Sequence, residues 1–251
     1  MLECRLMQLY IIRHAESTNN ALADQRYRVA DPLLTETGLR QAEILAQHLA
    51  HGNGRFPNEM GLRTPSNNPA GASGEGYGIT RLYCSPMRRA LQTAAPVSRA
   101  LGLKPEIWIE IHEYGGIWLD HGDAGGIRGY PGITRAEIEA EFPGYEAPEG
   151  VTERGWWRWA QEEPEMFLAR TGWVIETLHS WAARSERVAI ITHGAFIDGL
   201  LNTLLKVGRV HPVYYHHDNT GITLIDFRRN GKLSIRFLNR LDHLPFDLIT
   251  S

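Results

Sequence analysis

The sequence predicts an α/β domain. It is expected to be a three-layer sandwich around a mainly parallel central sheet, with an antiparallel edge formed by a C-terminal hairpin. Three observations lead there. Apolar runs at residues 6–12 and 188–192 read as strands buried on both faces, and residues 79–84 read as a further strand. Segments with apolar residues at helical spacing alternate with them. Near the C-terminus, Arg229-Asn230-Gly231-Lys232 separates two further strand-like runs, and Asn-Gly is the turn chemistry of a tight hairpin.

Taken in order, the first strand covers residues 6–12. Thr35 is the expected N-cap of a helix in which Leu39, Ala42, Leu45, Ala46 and Leu49 share one face to about residue 51. Residues 52–78 turn to Gly, Pro, Asn and Ser. That is long against median connections of about 4–6 residues, so it reads as a surface insertion. A strand at 79–84 follows, then a helix opened by Ser85-Pro86 with Ala90, Leu91, Ala94, Val97 and Leu101 inward. Residues 107–111 are expected to form a third strand, ending at His112-Glu113. Residues 114–160 form a second insertion, irregular apart from a helix at 134–142. Its Trp118, Trp156, Trp157 and Trp159 either line a pocket or pin a cap to the core. A helix from Pro164 to about Arg184, the strand at 188–192, a helix at 195–205 and the hairpin strands at 223–227 and 233–238 complete one domain over residues 1–251.

Composition excludes several classes. The 251 residues are 43% hydrophobic and 22% charged, ordinary for a globular protein, and suffice for one large core. A net charge of −3 gives no general reason to expect nucleic acid or an acidic membrane surface as partner. Cys4 and Cys84 are too few for a disulfide framework or a cysteine zinc site, and both read as buried structural thiols. No run approaches the roughly 18 apolar residues that span a bilayer, and no signal-type segment precedes Arg13, so the expected location is cytoplasmic.

The chemistry concentrates where strands end. The first strand stops at Arg13-His14, and ligands of open α/β sheets bind beyond the carboxyl ends of strands. Arginine there suits a phosphate or carboxylate, and histidine can serve as nucleophile, base or ligand. Two later strands deliver Ser85 to Arg89 and His193-Gly194, and a less regular segment delivers Glu113. If the strands are parallel neighbours, two histidines, two or three cations and one carboxylate converge. Such a group suits phosphoryl transfer. A neutral imidazole attacks phosphorus, cations hold the equatorial oxygens, and a carboxylic acid protonates the leaving alkoxide and then activates water. The side chains supply the positive charge, so no metal or other cofactor is required.

Five ordered blocks resemble the histidine phosphatase superfamily, the group that contains cofactor-dependent phosphoglycerate mutases and fructose-2,6-bisphosphatase. Residues 9–20 resemble its Arg-His-Gly-Glu signature, with Ala15 in place of the usual glycine. Leu34-Thr35, Gly38 and Gln41-Ala42 resemble the second block, and residues 85–94 the third. Glu113 with Gly116 and Trp118 is similar to the acid/base block of the phosphatase branch. Thr192-His193-Gly194 and Asn219-Thr220 resemble the last pocket block and the closing turn. The resemblance implies that His14 is the phosphorylated nucleophile, Glu113 the proton donor and His193 the second histidine. Arg13, Asn20 and Arg89 are implied as phosphate ligands, with the backbone near Thr220. Ser17 either bonds phosphate or caps the turn; Glu16 reads as structural, and Arg88 as pointing elsewhere.

The expected function is a metal-independent phosphatase acting on a small phosphorylated substrate. Phosphoglycerate mutase is the alternative, although Glu113-Tyr114-Gly115-Gly116 lacks the arginine that mutases usually carry after the acid. A non-catalytic phospholigand-binding module is the third reading; binding alone would not need Glu113. His211, His216 and His217 lack the acidic or cysteine companions of a metal site and read as surface or core-edge groups. His112, His121 and Asp123 read as loop structure. Arg5, Arg26 and Arg28 read as solvated cations, of which Arg26 or Arg28 could reach a charged substrate tail.

Overall fold

The computed structural model describes residues 6–52, 76–123, 125–184, 186–206 and 213–251. The expected insertion at 52–78 therefore lies almost wholly outside the described residues, as do Cys4, Arg5 and His211. Five helices and eight strands are present among them: β1 (Leu6–Arg13), α1 (Glu36–His51), β2 (Arg81–Cys84), α2 (Arg88–Leu101), β3 (Pro105–Ile107), β4 (Trp118–Asp120), β5 (Ile127–Gly129), α3 (Arg135–Glu141), α4 (Pro164–Trp181), β6 (Arg187–Thr192), α5 (Gly194–Leu204), β7 (Ile222–Arg228) and β8 (Leu233–Arg240). No described helix is long and apolar enough to cross a membrane.

The main sheet has the order β3-β2-β6-β1-β7-β8. β3, β2, β6 and β1 run parallel; β7 and β8 form the antiparallel edge, as the Asn230-Gly231 turn requires. The alternation of side chains along each strand divides the core. Tyr10 and Ile12 of β1 pack with Leu45, Leu49, Leu91 and Val97 of α1 and α2. Leu9 and Ile11 pack with Val174, Leu178, Phe196 and Leu200 of α4 and α5 on the other face. Each fully buried aliphatic side chain contributes about 1.5–3 kcal/mol, so both helical layers are held chiefly by this burial.

Local signals explain most boundaries. The Thr35 hydroxyl accepts the Gly38 amide at 2.9 Å and caps α1. Thr134 and Glu137 form a complete capping box on α3. Four boundaries depart from the sequence reading. Pro86 precedes its helix: Met87 is the N-cap, and Ser85 to Met87 form the connection from β2. The third strand is Pro105–Ile107, because β2 offers partners only as far as Cys84↔Ile107; Ile109–Ile111 coils into a 3₁₀ turn. Within the second insertion, β4 and β5 pair as a small separate hairpin. α4 ends at Trp181, short of Arg184.

The loop after β1 is clamped onto α1 at one close contact. A Cβ built on Gly38 would lie 2.0 Å from the Glu16 carbonyl oxygen. Gly38→Ala must push that loop away, and overpacking of this kind typically costs 1–3 kcal/mol. Urea unfolding should show a loss of about 2 kcal/mol; unchanged stability would mean that the loop yields freely.

Candidate active site

β1 and β6 are adjacent, and their register pairs Arg13 with Thr192. The residues that follow, His14 and His193, therefore emerge side by side, with ring centroids 5.1 Å apart. The His14 amide donates to the Thr192 carbonyl at 2.8 Å and closes the ladder. Beyond this point the next amide turns to α2: Ala15 N donates to the Thr93 hydroxyl at 3.0 Å. The Ala15 methyl is fully buried against Leu34 and Ala42, so the departure from glycine fills a small apolar gap without disturbing the turn.

His14 is almost wholly buried. Its Nδ1 lies 2.7 Å from the Ala15 carbonyl, which can only accept, so Nδ1 carries the proton. Nε2 then presents a lone pair, and Arg89 Nε donates to it at 3.1 Å. Burial, then Arg89, then Arg13 hold the His14 pKa well below its ordinary value. The ring is a neutral imidazole with its Nε2 lone pair directed at a guanidinium. Burial draws both arginine pKa values down, from a starting point so high that both stay charged. Arg13 Nη1 donates to the His217 carbonyl, and its Nε is buried with no partner.

His193 is fully buried behind His14 and does not line the cavity surface. Its Nε2 meets the Ser85 hydroxyl at 2.7 Å, while Nδ1 has no partner. Burial, then Arg89 and His14, hold it neutral as well. Glu113 reaches in from the other side. Its Oε1 accepts the Tyr114 and Phe196 amides, each at 2.9 Å. Phe196 stands in the first turn of α5, so a helix N-terminus fixes the carboxylate.

These groups open onto a cavity of about 400 Å³ lined by Arg13, His14, Ser17, Asn20, Arg89 and Glu113 among others. That is far more room than a phosphate needs. Asn19, Gln25, Arg28, Tyr114 and Trp118 complete its outer part. Arg28 lies 5.9 Å from the centroid of the Trp118 ring. Arg26, in contrast, is exposed and gripped by Asp24, with Nη2 at 2.7 Å from Oδ2. Arg88 points away, as expected, to Glu137 and Glu141.

Some expected site residues take other parts. Ser17 donates its hydroxyl to Asn20 Oδ1 at 2.8 Å, and the Ser17 amide donates to the same oxygen, so Ser17 caps the turn although it borders the cavity. Thr220, expected near phosphate through its backbone, lies apart from the cavity. Its amide donates to the Arg13 carbonyl at 3.1 Å, its hydroxyl meets His243 Nε2 at 3.0 Å, and it is not part of the cavity wall. Its left-handed φ of 61° aims the amide back at β1, so Thr220 shapes the strand end instead of touching a ligand. Asn219 assists, donating Nδ2 to the His14 carbonyl at 3.0 Å. Glu16 is structural, accepting the Thr35 hydroxyl.

Several described histidines outside the site have other partners. His217 is buried between the Tyr215 carbonyl and the Thr223 hydroxyl, and His216 pairs with Asp218. His121 meets the Tyr130 hydroxyl. His48, Asp242 and His243 each offer one potential metal ligand, and the three atoms lie within 4.8 Å of one another. Arg240, however, grips both oxygens of Asp242 through Nε and Nη2.

With this geometry in place, the comparisons are informative. The family model of the histidine phosphatase superfamily (branch 1) matches residues 9–56 and 69–240. The chain belongs to the histidine phosphatase superfamily. Solved structures share the superfamily fold at low identity. A protein described as mycobacterial hydrolase 1 is 21% identical, with 94% of this chain and 99% of that one covered at a TM-score of 0.58. A phosphoserine phosphatase from Entamoeba histolytica, bound to 3-phosphoglyceric acid, is 18% identical over 95% and 100% of the chains, TM-score 0.56. A mycobacterial glucosyl-3-phosphoglycerate phosphatase is 18% identical over 94% and 100%, TM-score 0.55. No curated protein matches the chain.

Sequence reasoning passed over Asp31. Its Oδ1 accepts the Arg88 amide at 3.1 Å and lies 3.9 Å from Arg89 Nη1, and its Oδ2 is buried without a partner. Burial outweighs the pull of Arg89, and the carboxyl is raised to about 6. A folded pKa above the unfolded one favours the protonated native state, so this stabilisation is complete below the unfolded value of 3.8 and is lost as pH rises through about 6. Asn keeps the acceptor for Arg88 and has no charge to bury. In melts across this range, Asp31→Asn should gain on the wild type as pH rises, by on the order of 3 kcal/mol. A pH-independent difference would refute the assignment.

Proposed function

We propose that the protein is a metal-independent phosphatase that hydrolyses a small phosphomonoester through a phosphohistidine at His14. The observation that carries this reading is the His14 ring itself. It is neutral, its Nδ1 proton is committed to the Ala15 carbonyl, and its Nε2 lone pair faces the Arg89 guanidinium. A phosphate drawn to Arg13 and Arg89 meets that lone pair. Nε2 forms the bond to phosphorus while the bond from phosphorus to the alkoxide breaks, and the carboxyl of Glu113 gives the alkoxide its proton. The positive charge that develops on the imidazole is shared through Nδ1–H with the Ala15 carbonyl. Water then attacks phosphorus, Glu113 takes its proton, the P–N bond breaks, and neutral His14 returns.

Arg13 and Arg89, which line the cavity, supply donors for the equatorial oxygens. His193 backs the pair from behind His14, with its Nε2 held by the Ser85 hydroxyl. The family supports phosphoryl chemistry at this pair of histidines, and relatives named as phosphoserine and glucosyl-3-phosphoglycerate phosphatases support hydrolysis. The mutase alternative has no observation of its own in its favour, since Tyr114 occupies the place after the acid.

His14→Ala should abolish phosphate release from alkyl and aryl phosphates alike, and acid-unstable label from ³²P-substrate should be trapped on the wild type alone. Full activity in the variant would end the mechanism. Glu113→Gln should slow an alkyl ester by 10²–10⁴-fold, the usual contribution of a positioned acid, and an aryl phosphate far less. A uniform loss would assign the proton to another group.

The outer cavity supports a substrate with a second anionic group, held by Arg28 at the face of Trp118. Arg28→Ala should raise KM about tenfold for such a substrate, the equivalent of about 1.4 kcal/mol, and leave a plain aryl phosphate nearly unchanged. Equal effects on both would place Arg28 outside substrate recognition.

A further inference from the structure

The acid Glu113 sits on a loop with no strand or helix of its own beneath it, yet it must hold its carboxylate within tenths of an ångström of the leaving oxygen. The residues that hold this loop come from a different part of the chain. Arg170, in the second turn of α4, donates Nη1 to the carbonyls of Glu110 at 2.7 Å and His112 at 3.0 Å. The His112 carbonyl belongs to the peptide unit that joins His112 to Glu113. Arg170 also donates Nε and Nη2 to the two oxygens of Glu162, at 2.7 and 2.6 Å. Glu162 in turn accepts the Gly115 amide at 3.3 Å, and its own amide donates to the Gly115 carbonyl at 3.0 Å. One buried ion pair therefore grips the chain immediately before Glu113 and two residues after it.

The same arginine reaches the carboxylate's anchor. Its guanidinium lies 5.2 Å from the ring centroid of Phe196, the residue whose amide binds Glu113 Oε1, and 5.1 Å from Phe167. Beneath the loop, the left-handed Gly116 rests on Trp157, where a Cβ would come within 2.1 Å of the indole. Loop backbone and carboxylate anchor thus meet around Glu162 and Arg170.

We propose that the buried Glu162–Arg170 pair is the positioning device for Glu113, setting the proton donor's reach through both flanking stretches of its loop. The proposal rests on the reading of Glu113 as the acid. Stability alone gives little reason for the pair. Its side chains are 3% and 9% exposed, and replacing such a pair by apolar residues is often neutral for folding. The geometry it imposes is specific, since it satisfies two carbonyls and an amide on the catalytic loop that no apolar residue can serve. Lysine cannot substitute fully, because a single ammonium lacks the planar fork that spans Glu162 and both carbonyls.

The experiment compares wild type, Glu162→Gln, Arg170→Met, Arg170→Lys and the charge-free double variant Glu162→Met/Arg170→Met, using an alkyl phosphate and an aryl phosphate with a good leaving group. The double variant removes both charges together and guards against loss of folding through one stranded ion. We expect kcat on the alkyl ester to fall about tenfold to hundredfold with KM nearly constant, a much smaller loss on the aryl ester, and partial recovery in Arg170→Lys. A loss equal for both esters, or no loss in the folded double variant, would overturn the proposal. The Glu113 assignment is tested separately, because Glu113→Gln in otherwise wild-type protein must show the same leaving-group selectivity. If it does not, that assignment falls and the positioning role falls with it.

Discussion

A neutral imidazole between two guanidinium groups is the condition on which this site depends, and backbone register produces it. The ladder between β1 and β6 puts His14 beside His193, and α2, following the next strand in the sheet, brings Arg89 to Nε2 of His14. Water would allow such a histidine to protonate near its ordinary pKa. Burial removes that option, and the arginines reinforce the effect. The Ala15 carbonyl settles the remaining choice by claiming Nδ1. The neutral, Nδ1-protonated form of His14 is therefore selected by three separate features: sheet register, helix placement and one main-chain oxygen.

The surrounding polar groups serve this arrangement. Glu16 N donates to Gln41 Oε1 at 2.8 Å, Gln41 Nε2 donates to the Thr250 hydroxyl at 2.8 Å, and that hydroxyl donates to Asn219 Oδ1 at 3.1 Å. Asn219 then holds the His14 carbonyl. The chain of contacts links α1, the C-terminal segment and the turn before β7 to the peptide of His14. Because each member is buried or half-buried, breaking one link leaves a desolvated polar atom, which costs about 1–3 kcal/mol. A loop free of regular hydrogen bonding is made rigid in this way.

What the sequence revealed followed from locality. His14, Arg13, Arg89 and His193 each stand at the end of a strand or in the first turn of a helix, and apolar runs mark those ends. The residues that escaped reading act across distance. Arg170 is 57 residues from Glu113, and nothing in its own neighbourhood distinguishes it from a surface arginine of an amphipathic helix. Asp31 stands in an Asp-Pro turn of a common kind. Thr220 shows the same dependence on geometry: its left-handed backbone goes with an amide that donates to the Arg13 carbonyl, which the local sequence does not reveal. The tryptophans divide along the same line. Trp118, on the hairpin, lines the cavity, whereas Trp156 and Trp157 are buried against His112, at centroid separations of 5.2 Å each.

In the proposed mechanism, Arg89 also orders events. Its Nε donates to the Nε2 lone pair of His14. A phosphate dianion is a far stronger acceptor for a guanidinium than a neutral imidazole, because both partners are charged and two parallel bonds can form. In the proposed mechanism a phosphate bound beside Arg89 therefore competes with the ring for the guanidinium, and winning it frees the Nε2 lone pair. Asp31 tempers this exchange. At 3.9 Å from Nη1 it is close enough to favour the charged arginine, yet too far to form the bidentate pair that would keep Arg89 from its substrate. Two weak contacts, one to a neutral ring and one at long range, leave the guanidinium placed and available.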